Sequence, residues 1–571
     1  MAQNPLDLEK RYDVIVTSSD LTSSLVAAAV SRAGKKVLHL DPYDRYGQEW
    51  AALKLFDVIA APALLIKEHP LPENVPVDCV ATTPPSLISN VHLEAPVFED
   101  ATTGKAFLTD FGRTPPDDVI DRFFNEFYPK LKQAKSSTEV KEVLTMLKEE
   151  LSSLNAFDNS FSIDLTPRFI FSIGEMVDIL IRSNVTRYLE FRKIARILTP
   201  LAKREGEESN NFAPGSTFKL INVPCVRKDV FMSKTISLIE KRLLMLFLDF
   251  IKNASSTKAT SEKTVPELTQ PFSECLAEQK MTPKLCDLLV HSVLMVERSD
   301  LINTSEALAK IGRFMSAIGR FADRPYLIPT YGTDDLVQAF CRYSAIYGAT
   351  YCLNSVVQSL KIDDQGEGGK KLVSSVNLMM EREGAISVEC DHLVTNYQFP
   401  TVSQQSPSEK SLQALSRAIV CSRQSICADG LAEYENTSVL YLPPEMVGSR
   451  SAVYVFETDK STNACPKGLY IQFFWCDATL TAVEDLKPVI EKLYSARVGT
   501  DSEDSCEPPL WSLYFTQSTE KPYSGTQPLA ENLHHISPPV NELDFEAVVA
   551  EAKAIFEKMY PEEKRTLESW S

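Results

Sequence analysis

The sequence lacks an excess of positive charge. It contains 59 lysine and arginine residues against 77 aspartate and glutamate residues, which gives a formal net charge of −18. Proteins that bind nucleic acid neutralise its phosphates with clustered basic side chains. The charge balance therefore argues against nucleic acid as a partner and is compatible with basic or apolar protein surfaces.

The sequence also lacks the spaced ligands of a metal centre. Its twelve cysteines include no Cys-x-x-Cys pair, and the two nearest, Cys421 and Cys427, have no histidine close by. The seven histidines form no triad or metal-binding pattern, and His291, in the apolar stretch LLVHSVLM, is expected to be a hydrogen-bonded packing residue. We therefore predict no metal, no catalytic residue and a reducing compartment.

Long hydrophobic runs are absent as well. No apolar stretch approaches the ~20 residues that cross a bilayer, and the N-terminal MAQNPLDLEKRYD has no signal-peptide core. Neither end carries a lipidation motif. These features predict a cytosolic protein.

Glycine is missing where a dinucleotide site would require it. The segment RYDVIVTSSDLTSSLVAAAVSRAGKKVLHLD, Arg11 to Asp41, is typical of a strand, a helix and a second strand. The three glycine positions of the dinucleotide motif hold Ser18, Asp20 and Ser23. Asp20 is a good helix N-cap and puts a carboxylate where the phosphate would bind. We therefore predict no bound cofactor, and we interpret Asp41 as a turn residue after the second strand.

The remaining pattern predicts an α/β protein with an inserted helical part. Residues 1–115 are interpreted as the first part of a strand-rich domain with an irregular, proline-rich insertion, and residues 116–300 as a mainly helical domain. Part of 192–230 is allowed to return to the sheet domain. Residues 301–571 complete the strand-rich domain, because period-two runs such as AIVCS, SVLYL and AVYVF predict strands and a helix is expected near 544–559.

Three long blocks resemble a known superfamily. They are the first segment with the following RYGQEW, then SFSIDLTPRFIFSIGEMVDILIRSNVTRYLEF, and then YLIPTYGTDDLVQAFCRYSAIYGATYCLN. In this order they are similar to the Rab GDP dissociation inhibitors and Rab escort proteins. The resemblance implies a flavoprotein-like α/β fold, a degenerate Rossmann domain without the flavin, interrupted by a smaller all-helical domain.

Within the superfamily the chain looks like an escort protein. It has an insertion at 65–155, the block PFSECLAEQKMTPKLCDLLVHSVLM, and a late PPLWSLYF segment. Escort proteins are non-catalytic accessory components of Rab geranylgeranyltransferase. The resemblance implies that the chain binds newly made GDP-bound Rab GTPases, presents them to the transferase α/β heterodimer, and keeps the prenylated product soluble until a transient membrane contact delivers it.

The resemblance also implies a Rab-binding surface. By position, its residues are Tyr46, Asp335, Arg342, Thr350 and Cys352. An arginine can make bidentate bonds to a Rab carboxylate or carbonyl, and a tyrosine is a common interface anchor. Without the resemblance, Asp335 and Arg342 would be interpreted as the solvated face of an amphipathic helix.

Two further sets of residues are implied. Phe272 and Leu276 are expected to form an exposed transferase-binding anchor, the alternative being that both are core residues. A geranylgeranyl chain of twenty carbons also needs shielding, at ~0.8 kcal/mol per buried CH2. Its lipid-binding candidates on two helices, which are equally compatible with a core, are Val177, Leu180, Ile181, Phe231 and Leu238.

Three alternatives remain open at this stage. The first is a flavin-dependent oxidase or desaturase, which the missing glycines disfavour. The second is a Rab GDP dissociation inhibitor, which recycles prenylated Rabs without engaging the transferase. The third is a scaffold that has lost Rab binding, because Gln48, Asp335 and Cys352 depart from the superfamily pattern.

Overall fold

The computed structural model describes most of the chain. The described residues are 8–65, 79–81, 88–99, 101–109, 115–203, 217–233, 235–257, 269–365, 370–380, 384–396, 414–427, 436–496, 507–519 and 529–563.

The strands that the structure describes form two large sheets and two small ones. They are β1 (Arg11–Val16), β2 (Val37–Leu40), β3 (Ala52–Leu53), β4 (Cys79–Ala81), β5 (Ile88–Glu94), β6 (Ile163–Asp164), β7 (Ile170–Phe171), β8 (Phe191–Lys193), β9 (Arg196–Ala202), β10 (Phe218–Asn222), β11 (Tyr326–Pro329), β12 (Thr350–Cys352), β13 (Ser355–Gln365), β14 (Lys370–Met380), β15 (Gly384–Thr395), β16 (Ala414–Ser422), β17 (Ser438–Leu442), β18 (Val453–Thr458), β19 (Tyr470–Asp477), β20 (Trp511–Ser518) and β21 (Leu533–His535).

The α-helices cover the sheets or pack together between them. They are α1 (Leu21–Arg32), α2 (Leu55–Ile59), α3 (Ala61–Leu64), α4 (Pro96–Glu99), α5 (Ala101–Thr109), α6 (Asp117–Arg122), α7 (Tyr128–Gln133), α8 (Ser137–Glu150), α9 (Asn155–Asp158), α10 (Glu175–Arg182), α11 (Arg227–Met232), α12 (Leu238–Thr257), α13 (Phe272–Glu278), α14 (Pro283–Leu288), α15 (Thr304–Ala317), α16 (Asp334–Ile346), α17 (Pro444–Val447), α18 (Ala482–Ser495) and α19 (Glu546–Met559). Short π-helical and 3-10 segments are Gln48–Trp50, Phe123–Phe127, Ser152–Leu154, Val185–Tyr188, Leu289–Leu294, Ser299–Leu301, Lys460–Thr462 and Pro561–Glu563.

The first sheet is built around the N-terminal strand. Its order is β12-β2-β1-β15-β14-β13-β4, and β21 pairs with β15. The strands β12, β2, β1, β15 and β21 run parallel, whereas β15, β14, β13 and β4 are antiparallel neighbours. Helix α1 follows β1 and returns the chain to β2. The predicted strand–helix–strand start and the α/β class are therefore confirmed.

The second sheet collects strands from distant parts of the sequence. Its order is β10-β9-β17-β18-β19-β16-β20-β5. One face packs against helices in the largest apolar cluster, and the other face is covered by α18. The predicted runs AIVCS, SVLYL and AVYVF lie in β16, β17 and β18. Strand β5, from the proline-rich insertion, forms the far edge against β20.

The stretch 116–300 is not helical throughout. It contains β6 to β10, and β9 and β10 belong to the second sheet. Strand β6 lies in FSIDL, which has a strand-like pattern, whereas β7 and β8 are two and three residues long, too short to show a period of two. Strand β9 is buried on both faces, so its side chains do not alternate between apolar and polar. For these two reasons, the periodicity of the sequence does not predict β7, β8 and β9.

Helices α1, α16 and α19 form one apolar cluster on the first sheet. Small side chains let α1 and α16 approach closely. The Ser31 and Ser344 hydroxyls are 2.8 Å apart, and Ser24 Oγ lies 3.4 Å from Cys341 Sγ. This contact fixes α16, the helix that carries two of the predicted Rab-binding residues. Within the described ranges, no helix has both the length and the apolar composition to cross a bilayer.

Candidate functional site

The turn between β1 and α1 is filled by its own side chains. Asp20 caps α1 by accepting a hydrogen bond from the Ser23 N–H at 2.9 Å, as predicted. Its other carboxylate oxygen accepts from the Ser18 hydroxyl at 2.5 Å and from the Ser23 hydroxyl at 2.7 Å. Asp20 is only 1% exposed, and burial raises its pKa. The helix N-terminus already holds a carboxylate, so these residues do not fit a flavin pyrophosphate.

Asp41 does more than end a strand. It accepts hydrogen bonds from the N–H groups of Tyr43 at 2.8 Å and Ser19 at 2.9 Å, and from the side-chain amide of Gln48 at 3.2 Å. The Gln48 amide oxygen accepts in turn from the Asn396 side chain at 2.9 Å. Gln48 adopts a left-handed backbone with φ of 50°, a conformation that favours glycine. The departure at Gln48 therefore keeps a glycine-like backbone and adds a buried link between β2 and β15.

The loop carrying Tyr46 packs against the start of α16. Gly47 has φ of 99°, and a Cβ atom there would lie 2.7 Å from a carboxylate oxygen of Asp334. This close approach requires glycine. Tyr46 is half-buried, and its ring meets Tyr351 of β12 edge to face at 5.9 Å. The first and third sequence blocks thus meet at α16.

The second block holds the same helix through Asp164. The Thr333 N–H, just before α16, donates to both carboxylate oxygens of Asp164 at 2.9 and 3.1 Å. Gly332 has φ of 102°, and a Cβ atom there would clash with the Asp164 carboxylate. Asp164 could not be recognised from the sequence, because FSIDL reads as a strand and no local signal reveals a partner so far along the chain.

Three carboxyl groups gather at this end of α16. Burial raises the pKa of Asp164 to about 7, that of Asp334 to about 7 and that of Asp335 to about 6. The Gln338 side-chain amide donates to Asp334 at 2.5 Å. Asp335 is half-buried, and its carboxylate has no hydrogen-bond partner among the described residues. It can accept a hydrogen bond from another molecule.

Arg342 lies two turns beyond Asp335, about 10 Å along the helix axis at 1.5 Å per residue. It is exposed, and its guanidinium carbon lies 4.4 Å from the ring centroid of Tyr188. Thr350 is half-buried at the start of β12. Cys352 is only 4% exposed and packs with Leu38 and Leu40, so its expected contact with a partner is not available. Alternation along β12 turns Cys352 into the core of the first sheet.

We call Tyr46, Asp335, Arg342 and Thr350 the α16 platform. Asp335 and Arg342 lie on α16, Thr350 begins β12, and Tyr46 lies in the loop whose ring contacts Tyr351 of β12. Asp164 of the second block accepts the hydrogen bonds of the Thr333 N–H just before that helix. The four residues offer an aromatic ring, a carboxylate, a guanidinium and a hydroxyl to a protein surface.

The predicted transferase anchor is buried. Phe272 is 0% exposed and Leu276 is 2% exposed, and both belong to the largest apolar cluster. Phe272 packs near Phe247 of α12, with ring centroids 6.4 Å apart. The expectation of an exposed anchor is therefore wrong at these positions. Their i, i+4 spacing is that of a core-facing stripe, which was the alternative.

The expected lipid-binding residues are not among the walls of the apolar cavity that the described part of the chain forms at α11, α12 and α15. Val177 and Leu180 of α10 are buried among α1, α16 and α19. Ile181 is 50% exposed, Phe231 is 69% exposed and Leu238 is 83% exposed. An amphipathic stripe in the sequence does not distinguish a residue of the core from a residue of a cavity wall. Leu238, at the start of α12, is not covered by neighbouring elements.

Large apolar side chains are instead exposed together on α11 and α12. We define the α11–α12 patch as Phe231, Met232, Leu238 and Ile239, each 69 to 83% exposed. Monomeric proteins rarely leave large adjacent apolar side chains in water, so such patches mark sites of interaction.

A cavity of about 700 Å³ is lined in part by residues of the same two helices. Val230 of α11, Leu244 and Leu248 of α12, and Phe314 of α15 are among its walls. Its lining is mainly apolar, with Asp249 and Arg227 among the few charged residues. Such a cavity suits an apolar chain with a polar end.

The sequence matches the protein family described as "GDP dissociation inhibitor" over residues 8–70 and 120–498. Human Rab proteins geranylgeranyltransferase component A 1 is 29% identical over 632 residues, covering 97% of this chain and 92% of that protein. A Rab GDP-dissociation inhibitor of Pyricularia oryzae is 23% identical, covering 88% of this chain and 87% of that protein.

The fold is similar to that of a Rab GDI from Plasmodium falciparum. The TM-score is 0.62 at 18% sequence identity, and the similarity covers 97% of this chain and 99% of the other. This likeness supports the flavoprotein-like fold that the sequence blocks predict.

Proposed function

The chain belongs to the GDP dissociation inhibitor family, and from this premise we propose that it is a Rab escort protein. It binds newly made, GDP-bound Rab GTPases, presents them to Rab geranylgeranyltransferase, and keeps the prenylated product soluble. The observation that carries this proposal is the similarity to a geranylgeranyltransferase component A over 97% of the chain.

The comparison with inhibitors favours the escort function. The inhibitor relative is less similar and covers less of this chain than the component A relative does, at 23% against 29% identity. An inhibitor that only recycles prenylated Rabs is the second candidate, since the family description names GDP dissociation inhibition.

The α16 platform is the proposed Rab-binding surface. Arg342 would bind a carboxylate or a pair of carbonyl groups on the GTPase, because a guanidinium presents a planar fork of donors. Asp335 would accept from a basic Rab residue, and Tyr46 would contribute an amphipathic ring. Cys352 is left out of this surface because it is buried.

The cavity behind α11 and α12 is the proposed site for the geranylgeranyl group. Burying each CH2 of the lipid is worth ~0.8 kcal/mol, so an apolar cavity offsets most of the cost of carrying the chain through water. Leu244, Leu248 and Phe314 supply walls of suitable chemistry.

The α11–α12 patch is the proposed contact with the transferase. It replaces Phe272 and Leu276 in this role, since exposed apolar side chains are the ones that bury area on docking. The patch and the cavity share two helices, so a transferase bound to the patch would stand beside the site that receives its lipid product. In this scheme the chain itself is non-catalytic, acts in the cytosol, and touches membranes only on delivery.

Binding to lipid-free Rab separates the two candidates. An escort must bind a GDP-loaded Rab before any lipid is attached, whereas an inhibitor acts on prenylated Rab. We expect the chain to bind unprenylated, GDP-loaded Rab in a titration by fluorescence or calorimetry. Arg342→Ala should weaken this binding, and Arg450→Ala, at another exposed arginine, should leave it unchanged.

Two results would contradict the proposal. Binding that requires the lipid would favour the inhibitor, and this would be visible as affinity for prenylated Rab alone. Absence of binding to either form of Rab would leave a scaffold without Rab-binding activity.

A further inference from the structure

Arg342 combines an aromatic contact with unused hydrogen-bond donors. Its guanidinium lies over the Tyr188 ring at 4.4 Å, yet it makes no hydrogen bond or ion pair with any residue that the structure describes. Arginine carries five N–H donors around the edge of a planar group. A contact through the flat face leaves that edge available to another molecule.

Other described arginines that stack on rings are engaged differently. Arg313 lies 4.1 Å from the Phe171 ring but pairs with Asp544 at 2.9 Å. Arg320 lies over Phe321 and pairs with Asp178 at 3.5 Å. The remaining stacked arginines, which also have polar partners, are Arg32, Arg122, Arg168 and Arg417. Arg342 is thus held in place without having its donors consumed.

Tyr188 is itself presented by a fixed element. It ends the 3-10 segment Val185–Tyr188, which packs against α16. Val185 at the start of this segment is 0% exposed and belongs to the same apolar cluster as α16. Tyr188 is 39% exposed, so part of this residue is packed against the protein and part is accessible to solvent.

We propose that Tyr188 is a positioning residue for Rab recognition: it holds the Arg342 guanidinium over its ring so that the donor edge faces an acceptor on the GTPase. This inference rests on the proposed function. A flexible arginine loses side-chain freedom when it binds, and a stacked one has already lost part of it. A salt bridge would also restrain Arg342, but its donors would have to change partners on binding.

The surroundings define the group that Arg342 would meet. Ile346 is one turn further along α16 and is 62% exposed, and the Tyr188 ring lies against the guanidinium. The complementary feature on the Rab is therefore a carboxylate or paired carbonyls flanked by an apolar side chain. A fully solvated phosphate or a flexible acidic tail would leave the apolar side chains beside Arg342 without a contact.

A double-variant cycle tests this role. Affinity for unprenylated, GDP-loaded Rab is measured for the wild-type chain, Tyr188→Leu, Arg342→Ala and the combination. We expect Tyr188→Leu to weaken binding about 3- to 5-fold, which is the scale of an exposed cation–π contact. Tyr188→Phe keeps a ring and should bind within about 2-fold of wild type. The combined variant should bind no more weakly than Arg342→Ala, because Tyr188 acts through Arg342.

A kinetic readout separates positioning from general damage. In transfer of the lipid by the transferase, Tyr188→Leu should raise the Rab concentration needed for half-maximal rate and leave the maximal rate unchanged. Unfolding temperatures are measured in parallel, and Tyr188→Gln carries the same test if the leucine variant is less stable.

The outcomes of these experiments separate the α16 platform from the positioning role of Tyr188. If Arg342→Ala leaves Rab affinity unchanged, the α16 platform is wrong and with it this part of the proposed function. If Arg342→Ala weakens binding but Tyr188→Leu does not, or if the two losses multiply in the combined variant, the positioning role of Tyr188 is overturned while the platform stands.

Discussion

Single side chains take over the turn where flavoproteins hold a pyrophosphate. Asp20 caps α1, and Asp41, Gln48 and Asn396 form a buried chain of hydrogen bonds beside it. Such a network is stable because each buried acceptor is matched by a donor. The capping role of Asp20 was predictable from its position before an apolar helical run. The link to Asn396 was not, since it joins residues 348 positions apart.

If Asp335 contacts the Rab as proposed, we expect Rab binding to depend on pH. Burial raises the pKa of Asp335 from 3.8 to about 6, so the group is charged at pH 7.5 and becomes protonated as the pH falls through 6. We expect affinity for GDP-loaded Rab to fall over that range, because a neutral carboxyl is a weaker acceptor for a basic residue. Asp335→Asn should bind more weakly at pH 7.5 and lose the part of the dependence that Asp335 contributes, while Asp164 and Asp334, whose pKa values burial raises to about 7, still titrate.

The same shift affects stability with the opposite dependence on pH. The folded protein keeps a proton on Asp335 that the unfolded chain releases, so this group lowers the free energy of unfolding as the pH rises from about 4 to 6. Asp323→Asn is a suitable control in the unfolding experiment, because the pKa of Asp323 is lowered rather than raised.

An affinity for Rab that is unchanged between pH 7.5 and 5.5 would count against Asp335 as a charged contact.

Packing partners at the residue scale were only partly visible in the sequence. His291 is confirmed as a packing residue with a hydrogen bond, 3.2 Å from its Nδ1 to the Val296 carbonyl oxygen. Phe272 was expected at the surface and is fully buried. Both lie in amphipathic stretches, and periodicity shows which residues share a face but not what covers that face.

Among the elements, α12 illustrates the same limit. Its dense apolar sequence predicts a helix, which is confirmed, and favours burial on most sides. The structure instead gives it a cavity-lining face with Leu244 and Leu248 and an exposed apolar region at Leu238 and Ile239. A helix that lines an apolar cavity on one face and exposes apolar side chains elsewhere is as rich in apolar residues as a helix buried in the core.

The α11–α12 patch should be required by the transferase and not by the fold. Phe231→Ser and Leu238→Ser remove apolar side chains that are 69% and 83% exposed, so we expect unfolding temperatures to stay within about 2 °C of wild type. Affinity for Rab should be unchanged. The rate of lipid transfer to Rab at limiting transferase should drop about 10-fold, as expected for loss of an interface anchor worth ~1.4 kcal/mol.

Leu480→Ser provides the matched control for the patch. Leu480 is also a large exposed apolar residue, 45% exposed, just before α18. Its substitution should not change the transfer rate. Equal losses in the control and patch variants, or a normal rate in both patch variants, would remove the patch from the transferase contact.

At the scale of the whole molecule, three separated sequence blocks converge on α16. The first supplies the loop with Tyr46, the second supplies Asp164 and Tyr188, and the third supplies the helix itself. In the sequence, α16 is preceded by β11, and β11 is preceded by α15, which lines the cavity. One connected path therefore joins the proposed Rab surface to the proposed lipid site.

The overall class was predictable, whereas several sheet memberships were not. The strand–helix–strand start and the late period-two strands carry clear local signals. The short strands β7 and β8 and the doubly buried β9 carry none, so 116–300 looks more helical than it is. The contacts within α16 and its supports depend on residues hundreds of positions apart, which a single sequence does not reveal.

The most direct test of the account is transfer of labelled geranylgeranyl to a GDP-loaded Rab by the transferase heterodimer, with and without this chain. We expect label on the Rab only when the chain is present, with less label for Arg342→Ala and for Phe231→Ser. Absence of label in both mixtures, while the same enzyme works with an authentic component A, would contradict it.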